Sequence, residues 1–129
     1  MGVSGPLSLM VIALLVSIAA ARAAAVGEKD LERGRQIYEQ RCLECHGAEG
    51  RGDGVKAPFL SPRPGNLVSA SVSAKSDRDL LKVIANGRAR TAMPAWKDQL
   101  SEDDQQAVLG YIRSLIRFTR PLTPPPPDR

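Results

Sequence analysis

Two cysteines, separated by two residues, run straight into the only histidine of the chain in CLECH, residues 42–46. Thiols and an imidazole at this spacing could serve a structural zinc site, a dithiol redox couple or a covalently attached haem. Zinc takes four Cys or His ligands, usually as two pairs. This chain offers three such donors inside five residues and no second pair, which disfavours zinc. A dithiol couple is normally set after a strand, at a helix N-terminus that lowers the thiol pKa. Here Cys42 and Cys45 follow a helical segment, and no strand–helix–strand pattern surrounds them; the plainest form of this reading is a disulfide across a tight turn. C-x-x-C-H as a haem attachment explains every member. Two thioether bonds would grip the vinyl-derived edge of the porphyrin, and the adjacent His46 would fall beneath the iron.

A second axial ligand must come from elsewhere. No other histidine exists, and beyond the N-terminal apolar run the sole methionine is Met93. A thioether suits haem iron and raises its potential. A lone methionine ordinarily fills a core, but Met93 stands off any helical stripe in TAMPAW, residues 91–96, with Pro94 behind it to stiffen the loop. Met93 is therefore the expected partner of His46.

These residues need elements to hold them. Asp30–Cys42 reads as a helix with Leu31, Gly34, Ile37, Tyr38 and Arg41 on or near one face. Residues 47–66 are rich in glycine and proline and must be loop. A second helix follows, with Ser76 and Asp79 as a capping box, an apolar stripe of Leu80, Leu81, Val83 and Ile84, and a stop at Asn86–Gly87. A third is capped by Ser101 with Asp104 three residues on, and carries Ala107, Val108, Tyr111, Ile112 and Leu115 on one side. No strand or internal repeat is evident, so the expected fold is all-α with three main helices and one structured loop.

The chain ends are of a different kind. Leu7–Ala21 is an uncharged apolar run of about fifteen residues, short for the roughly 20 that span a bilayer and suited to a secretory signal. A small-residue cleavage pattern falls at Ala21–Ala23, so residues 1–23 are expected to be a signal peptide. No Lys or Arg precedes the run, and an uncleaved anchor is the alternative. Either way residues 24–118, the expected domain, are exported. PLTPPPPDR closes the chain, and residues 119–129 are expected to be an exposed tail. The formal charge of +4 is interspersed with acids, and no basic patch with interleaved aromatics points to nucleic acid. The five aromatics, Tyr38, Phe59, Trp96, Tyr111 and Phe118, make a thin core that a large apolar cofactor would complete.

CLECH, RGDG at 51–54 and TAMPAW together resemble the class I c-type cytochromes, small bacterial monohaem proteins, over roughly Asp30–Ile116. The resemblance implies the cytochrome c fold, with N- and C-terminal helices crossing and a single covalent haem c as core. It implies His46 and Met93 as iron ligands on opposite faces and Cys42 and Cys45 as attachment points. A proline carbonyl twelve residues after the ligand histidine commonly receives its other ring nitrogen, which points to Pro58. Gly34, Tyr38 and Tyr111 match the family's close helix crossing, with Gly110 able to ease it, and Trp96 the aromatic beside the methionine loop. Arg63 and Asn66 are candidate propionate partners.

A doubly ligated iron has no open position, so one-electron transfer is expected rather than catalysis. The chain would be a monomeric periplasmic carrier, membrane-bound only if the leader is retained and then facing the periplasm. Its donor would be a dehydrogenase or reductase and its acceptor a terminal oxidase or reductase. Lys56, Lys75, Lys82, Arg88, Arg90 and Lys97 are expected to ring the exposed haem edge and steer an acidic partner. The alternatives are a haem subunit fixed inside an oxidoreductase complex, and a gas-binding or peroxidatic protein if Met93 is labile.

Overall fold

A computed structural model of the chain describes residues 27–119. The expected leader, residues 1–23, and the tail from 120 onward lie outside the described residues. The chain divides into Met1–Asp30 and a compact unit, Leu31–Arg129, and the unit that starts at Leu31 is the one that holds the haem-site candidates.

The described part is helical, and no strand occurs among its residues. Helix α1 occupies described residues 27–41, and the short α2, Leu43–His46, follows at once. A 3₁₀ turn, Ala57–Phe59, interrupts the long loop. Then come α3, Ala70–Ser73, α4, Asp77–Asn86, and α5, Glu102–Thr119. The two long expected helices of the second half are in place, and their starts use the caps read from sequence. Asp79 N–H donates to Ser76 Oγ at 3.1 Å, and the Ser76 hydroxyl returns a bond to the Asp79 carboxylate at 2.8 Å. Asp104 N–H likewise donates to Ser101 Oγ at 3.2 Å. Such caps satisfy amides that the first helical turn leaves without partners. Gly87, at φ +66°, ends α4 as expected.

The short α3 was not legible as a helix. It exists because Ser69 Oγ accepts from Val72 N–H at its start. Arg113 of α5 then secures the connection from α3 to α4, donating to the Lys75 carbonyl at 2.6 Å and to Asp77 Oδ1 at 2.9 Å.

The core is built by α5. Ala107, Val108, Ile112 and Leu115 are buried on the expected face, with Ile84 of α4 and Tyr38 of α1 packed among them. Leu109 is buried too, although it falls outside the stripe read from periodicity. Residues on both sides of that stripe are covered because α1 packs on one flank and α4 on another.

Helix α1 meets α5 at Gly34. A β-carbon there would lie 2.0 Å from the Ala107 carbonyl oxygen and 3.1 Å from Tyr111 Cβ. No side chain fits. Gly110 does not ease this contact: it is exposed, and an added β-carbon meets nothing within 4 Å. Helical phase explains the difference: Tyr111 shares the crossing with Ala107, and Gly110, one position earlier and about 100° round the helix from it, is turned out. Beyond the crossing, the rings of Tyr38 and Tyr111 stand 5.3 Å apart at 55°. The Arg33 guanidinium pairs with the Asp104 carboxylate across the same two helices.

Gly34→Ala is expected to destabilise the haem-loaded protein by about 3 kcal/mol or more, because backbone rather than a movable side chain must yield. Gly110→Ala is expected to stabilise it by about 0.5–1 kcal/mol, the ordinary helix-interior gain. Chemical denaturation of the pair checks both.

Candidate haem site

The attachment motif is a single turn of helix with a fixed exit. Cys42 caps α2 without a side-chain bond, and Gly47 ends it at φ +79°. A β-carbon on Gly47 would strike the Asp53 carboxylate. The phenol of Tyr38 donates to the Gly47 carbonyl at 2.7 Å, so α1 holds the residue that follows His46.

The loop beyond is ordered by α2. Lys56 N–H donates to the Glu44 carbonyl at 2.8 Å, Gly54 N–H to Cys45 at 3.1 Å and Gly52 N–H to His46 at 2.8 Å. Gly54 runs so close that an added β-carbon would sit 2.3 Å from the Glu44 carbonyl oxygen. Having run back along α2, the chain turns outward through Ala57–Phe59 and returns, with Leu67 N–H donating to the Gly50 carbonyl at 2.7 Å.

That route corrects one expectation. The carbonyl at His46 Nδ1 belongs to Gly65, at 3.0 Å, and not to Pro58. Pro58 is exposed on the 3₁₀ turn and does not line the slot that His46 faces, because the ladder to α2 carries it outward. A carbonyl can only accept, so Nδ1 bears the proton and Nε2 is left with its lone pair. Burial pushes the imidazole pKa down, with the Gly65 bond working against it. The ring is therefore neutral at physiological pH, the state in which it can ligate metal.

The methionine loop is tied to the end of α4. Trp96 N–H donates to the Ile84 and Ala85 carbonyls, each at 3.2 Å, Arg88 N–H to the Met93 carbonyl at 3.2 Å, and Met93 N–H to Thr91 Oγ1 at 3.2 Å. Gly87 has to be glycine, with its positive φ and the Met93 carbonyl oxygen 2.6 Å from where a β-carbon would stand.

These two constructions face one slot. Two cavities of about 240 and 140 Å³ share Cys42, His46, Gly65, Arg88, Met93 and Trp96 as walls. The inner one is mostly apolar, formed by Leu67, Leu80, Val83, Ile84, Leu109 and Ile112 among others, with Lys75 and Arg88 as its cations. The outer one adds Cys45, Leu60, Pro62 and Arg63. Arg41 also stands at the mouth, its guanidinium 5.9 Å from the centre of the Trp96 ring. No carboxylate lines either cavity.

Of the residues expected to contact the cofactor, Cys42, Cys45, His46, Met93, Trp96 and Arg63 all line the slot. Asn66 does not. Its carboxamide oxygen accepts from Val68 N–H at 2.9 Å, closing a local turn. Arg41 and Gly65 were missed as wall residues, and Arg88, expected in the ring around the haem edge, lines both cavities. The expected basic ring is also redistributed: Lys82 lines a groove between α4 and α5, Lys56 pairs with Glu44, and Lys75 lines the inner cavity.

The donor set suits a c-type haem. Two thiols and an imidazole line the slot together with a thioether from a separate loop, the walls are mostly apolar and the mouth is cationic, as a macrocycle with carboxylate substituents requires. It does not suit the alternatives. Burial pushes the Cys42 thiol up to about 11, whereas a dithiol couple needs a thiol of lowered pKa. Among the described residues no group of three or more His, Cys, Asp or Glu side chains is placed to hold a metal ion.

A helical fold of this design defines a c-type cytochrome, an electron-transfer haem protein. Residues 29–112 match the family described as "Cytochrome C oxidase, cbb3-type, subunit III", and the chain belongs to that family. It is 33% identical over 104 residues to "Cytochrome c55X" of Paracoccus denitrificans (strain Pd 1222), a match that covers 78% of this chain and 91% of the relative. It is 31% identical over 87 residues to the "Cbb3-type cytochrome c oxidase subunit FixP" of Bradyrhizobium sp. (strain ORS 278), covering 67% of this chain but 28% of that subunit. Among solved structures it resembles a chain of the Kuenenia stuttgartiensis reducing HAO-like protein complex, with TM-score 0.63 and 30% identity, over 69% of this chain and 44% of that one.

Gly87→Ala is expected to destabilise the haem-loaded protein by about 1–3 kcal/mol, from a strained φ and a backbone clash at Met93. Pro58→Ala, which touches neither the slot nor His46, is expected to change stability by less than about 0.5 kcal/mol. Denaturation curves for the two variants check both values.

Proposed function

We propose that the protein is a one-electron carrier with a single haem c, attached through Cys42 and Cys45 and ligated by His46 and Met93. The observation that carries this reading is the convergence of those four side chains on one slot whose inner walls are mostly apolar. When bound, such a haem supplies a ferric/ferrous couple. The chain's residues do the rest. Gly65 holds the imidazole in one tautomer, the tethered 88–96 loop presents the thioether, and Leu80, Val83, Ile84 and Ile112 exclude water. A neutral thioether in an apolar pocket favours the reduced state, so the potential is expected to be relatively high, late in a respiratory or dehydrogenase chain. With His46 and Met93 both engaged in holding the haem, the iron would have no open position for a substrate, which supports electron transfer over catalysis.

The likeness to cytochrome c55X, over 91% of that relative, supports the carrier reading. We place it in the periplasm as a monomer, receiving electrons from a dehydrogenase or reductase and passing them to a terminal oxidase or reductase. An anchored form facing the periplasm is the variant in which the leader is retained. A second reading, a fixed haem subunit of an oxidoreductase complex, is favoured by the likeness to FixP and to the HAO-like complex chain. Purification at constant stoichiometry with other subunits would select it.

Expression with its own leader, in a host that matures c-type haem, tests the main reading. Oxidised spectra of the exported protein are expected to show the weak far-red band of methionine-ligated ferric haem. Met93→Ala is expected to keep the haem, lose that band and lower the midpoint potential by roughly 0.1–0.3 V, within the ~0.8 V that axial ligands command. Covalent haem without the band in the unaltered protein would leave an open iron and favour gas binding or peroxidatic chemistry. Absence of haem, where a control cytochrome is matured, would refute the assignment and restore the dithiol.

A further inference from the structure

The loop that passes the slot leaves two large apolar side chains in solvent. Phe59 is 86% exposed and Val55 77%, whereas most of the large apolar side chains described are buried or half-buried. Neither is on a frayed segment. Val55 lies between Gly54 and Lys56, whose amides are bonded to the Cys45 and Glu44 carbonyls, and Phe59 N–H donates to the Lys56 carbonyl at 3.1 Å. The next residues of the loop, Leu60, Pro62 and Arg63, line the outer cavity. An exposed aromatic held on a rigid turn gives away little conformational entropy on contact, which is the property of an interface anchor.

The surroundings identify the occupant. The mouth carries Arg41, Arg63 and Arg88, and no carboxylate lines it. Of the acids on α2 and the loop, Glu44 and Glu49 are paired with Lys56 and Arg51, and the Asp53 carboxylate stands against Gly47. A complementary surface therefore has an apolar notch with a carboxylate rim. An anionic bilayer fits less well, because two side chains on one short turn give no continuous apolar face, and Glu44 and Glu49 would approach its headgroups.

We propose that Val55 and Phe59 form the apolar anchor by which the slot mouth docks on an acid-rimmed face of a redox partner protein. This rests on the electron-carrier reading and adds a source of affinity to the steering expected of the basic ring. Arg63 steers the encounter and the apolar pair retains it, in a small interface compatible with turnover.

Monolayers of stated composition on gold serve as the probe. Binding of the haem-loaded protein is read by surface plasmon resonance on carboxylate-terminated and on mixed carboxylate/methyl-terminated alkanethiols. The unaltered protein is expected to bind the mixed surface about tenfold more tightly than the pure carboxylate one. Phe59→Ser and Val55→Ser are each expected to lose most of that advantage while keeping the carboxylate response, and Arg63→Gln to weaken binding to both. Equal binding by the unaltered protein to the two surfaces, or an advantage that survives both serine variants, overturns the proposal. So does binding to phosphatidylglycerol vesicles that Phe59→Ser abolishes, which would make a membrane the occupant. Far-red absorption of the same samples keeps the two readings apart: a lost band refutes the ligation, whereas an intact band with no surface discrimination refutes only the docking.

Discussion

The site depends on how deeply α1 can sink onto α5. With hydrogen alone at Gly34, the first helix rests on the backbone of the last at Ala107. That depth buries Tyr38 to 1% exposure and sets its ring against Tyr111. A buried phenol needs a partner, and Tyr38 finds the Gly47 carbonyl, one residue past His46. The position of the imidazole is thus inherited from a contact between helices at the far side of the core. Burial pushes the Tyr38 phenol pKa well up, so the bond is made by a neutral donor over the whole physiological range.

The long glycine-rich loop obeys a second constraint. Helix α2 is one turn long, so its carbonyls have no further turn to receive amides. Those of Glu44, Cys45 and His46 accept from Lys56, Gly54 and Gly52 instead. The glycines are there because the backbone must run against α2 with no side chain between them, as at Gly54, and because Gly47, Gly50 and Gly52 adopt positive φ. What composition marks as irregular is therefore a backbone ladder without secondary structure. It delivers Gly65 to the histidine and leaves Val55 and Phe59 outside.

The legible parts of the molecule were those in which side-chain chemistry decides the outcome. Serine caps at 76 and 101, the glycine stop at 87, the α5 stripe and the isolation of Met93 all follow from residue type and spacing. So does the set Cys42, Cys45, His46 and Met93, which the fold brings to one slot. The rest depends on backbone paths. Any residue has a carbonyl, so nothing in the letters distinguishes Gly65 from Pro58 as the acceptor at His46. Asn66 could serve a ligand or its own turn, and the local bond to Val68 won. Gly110 and Gly34 look alike until the helix phase is known. Arg88 and Lys82 read as equivalent surface charges, yet one lines the slot and the other a separate groove.

Charge at the mouth must be divided between two uses. Arg88 lines both cavities, so its guanidinium is placed to meet carboxylates of a bound cofactor, and a cation neutralised in that way has little field left for a partner. Arg41 is held over Trp96. Arg63, which lines the outer cavity alone, is the arginine with most freedom to act outward. At physiological ionic strength its field fades over about 8 Å. One or two such charges orient an encounter without holding it. Retention must then come from a contact that salt does not screen, and the exposed ring of Phe59, on the loop that leads to Arg63, has the area to supply it.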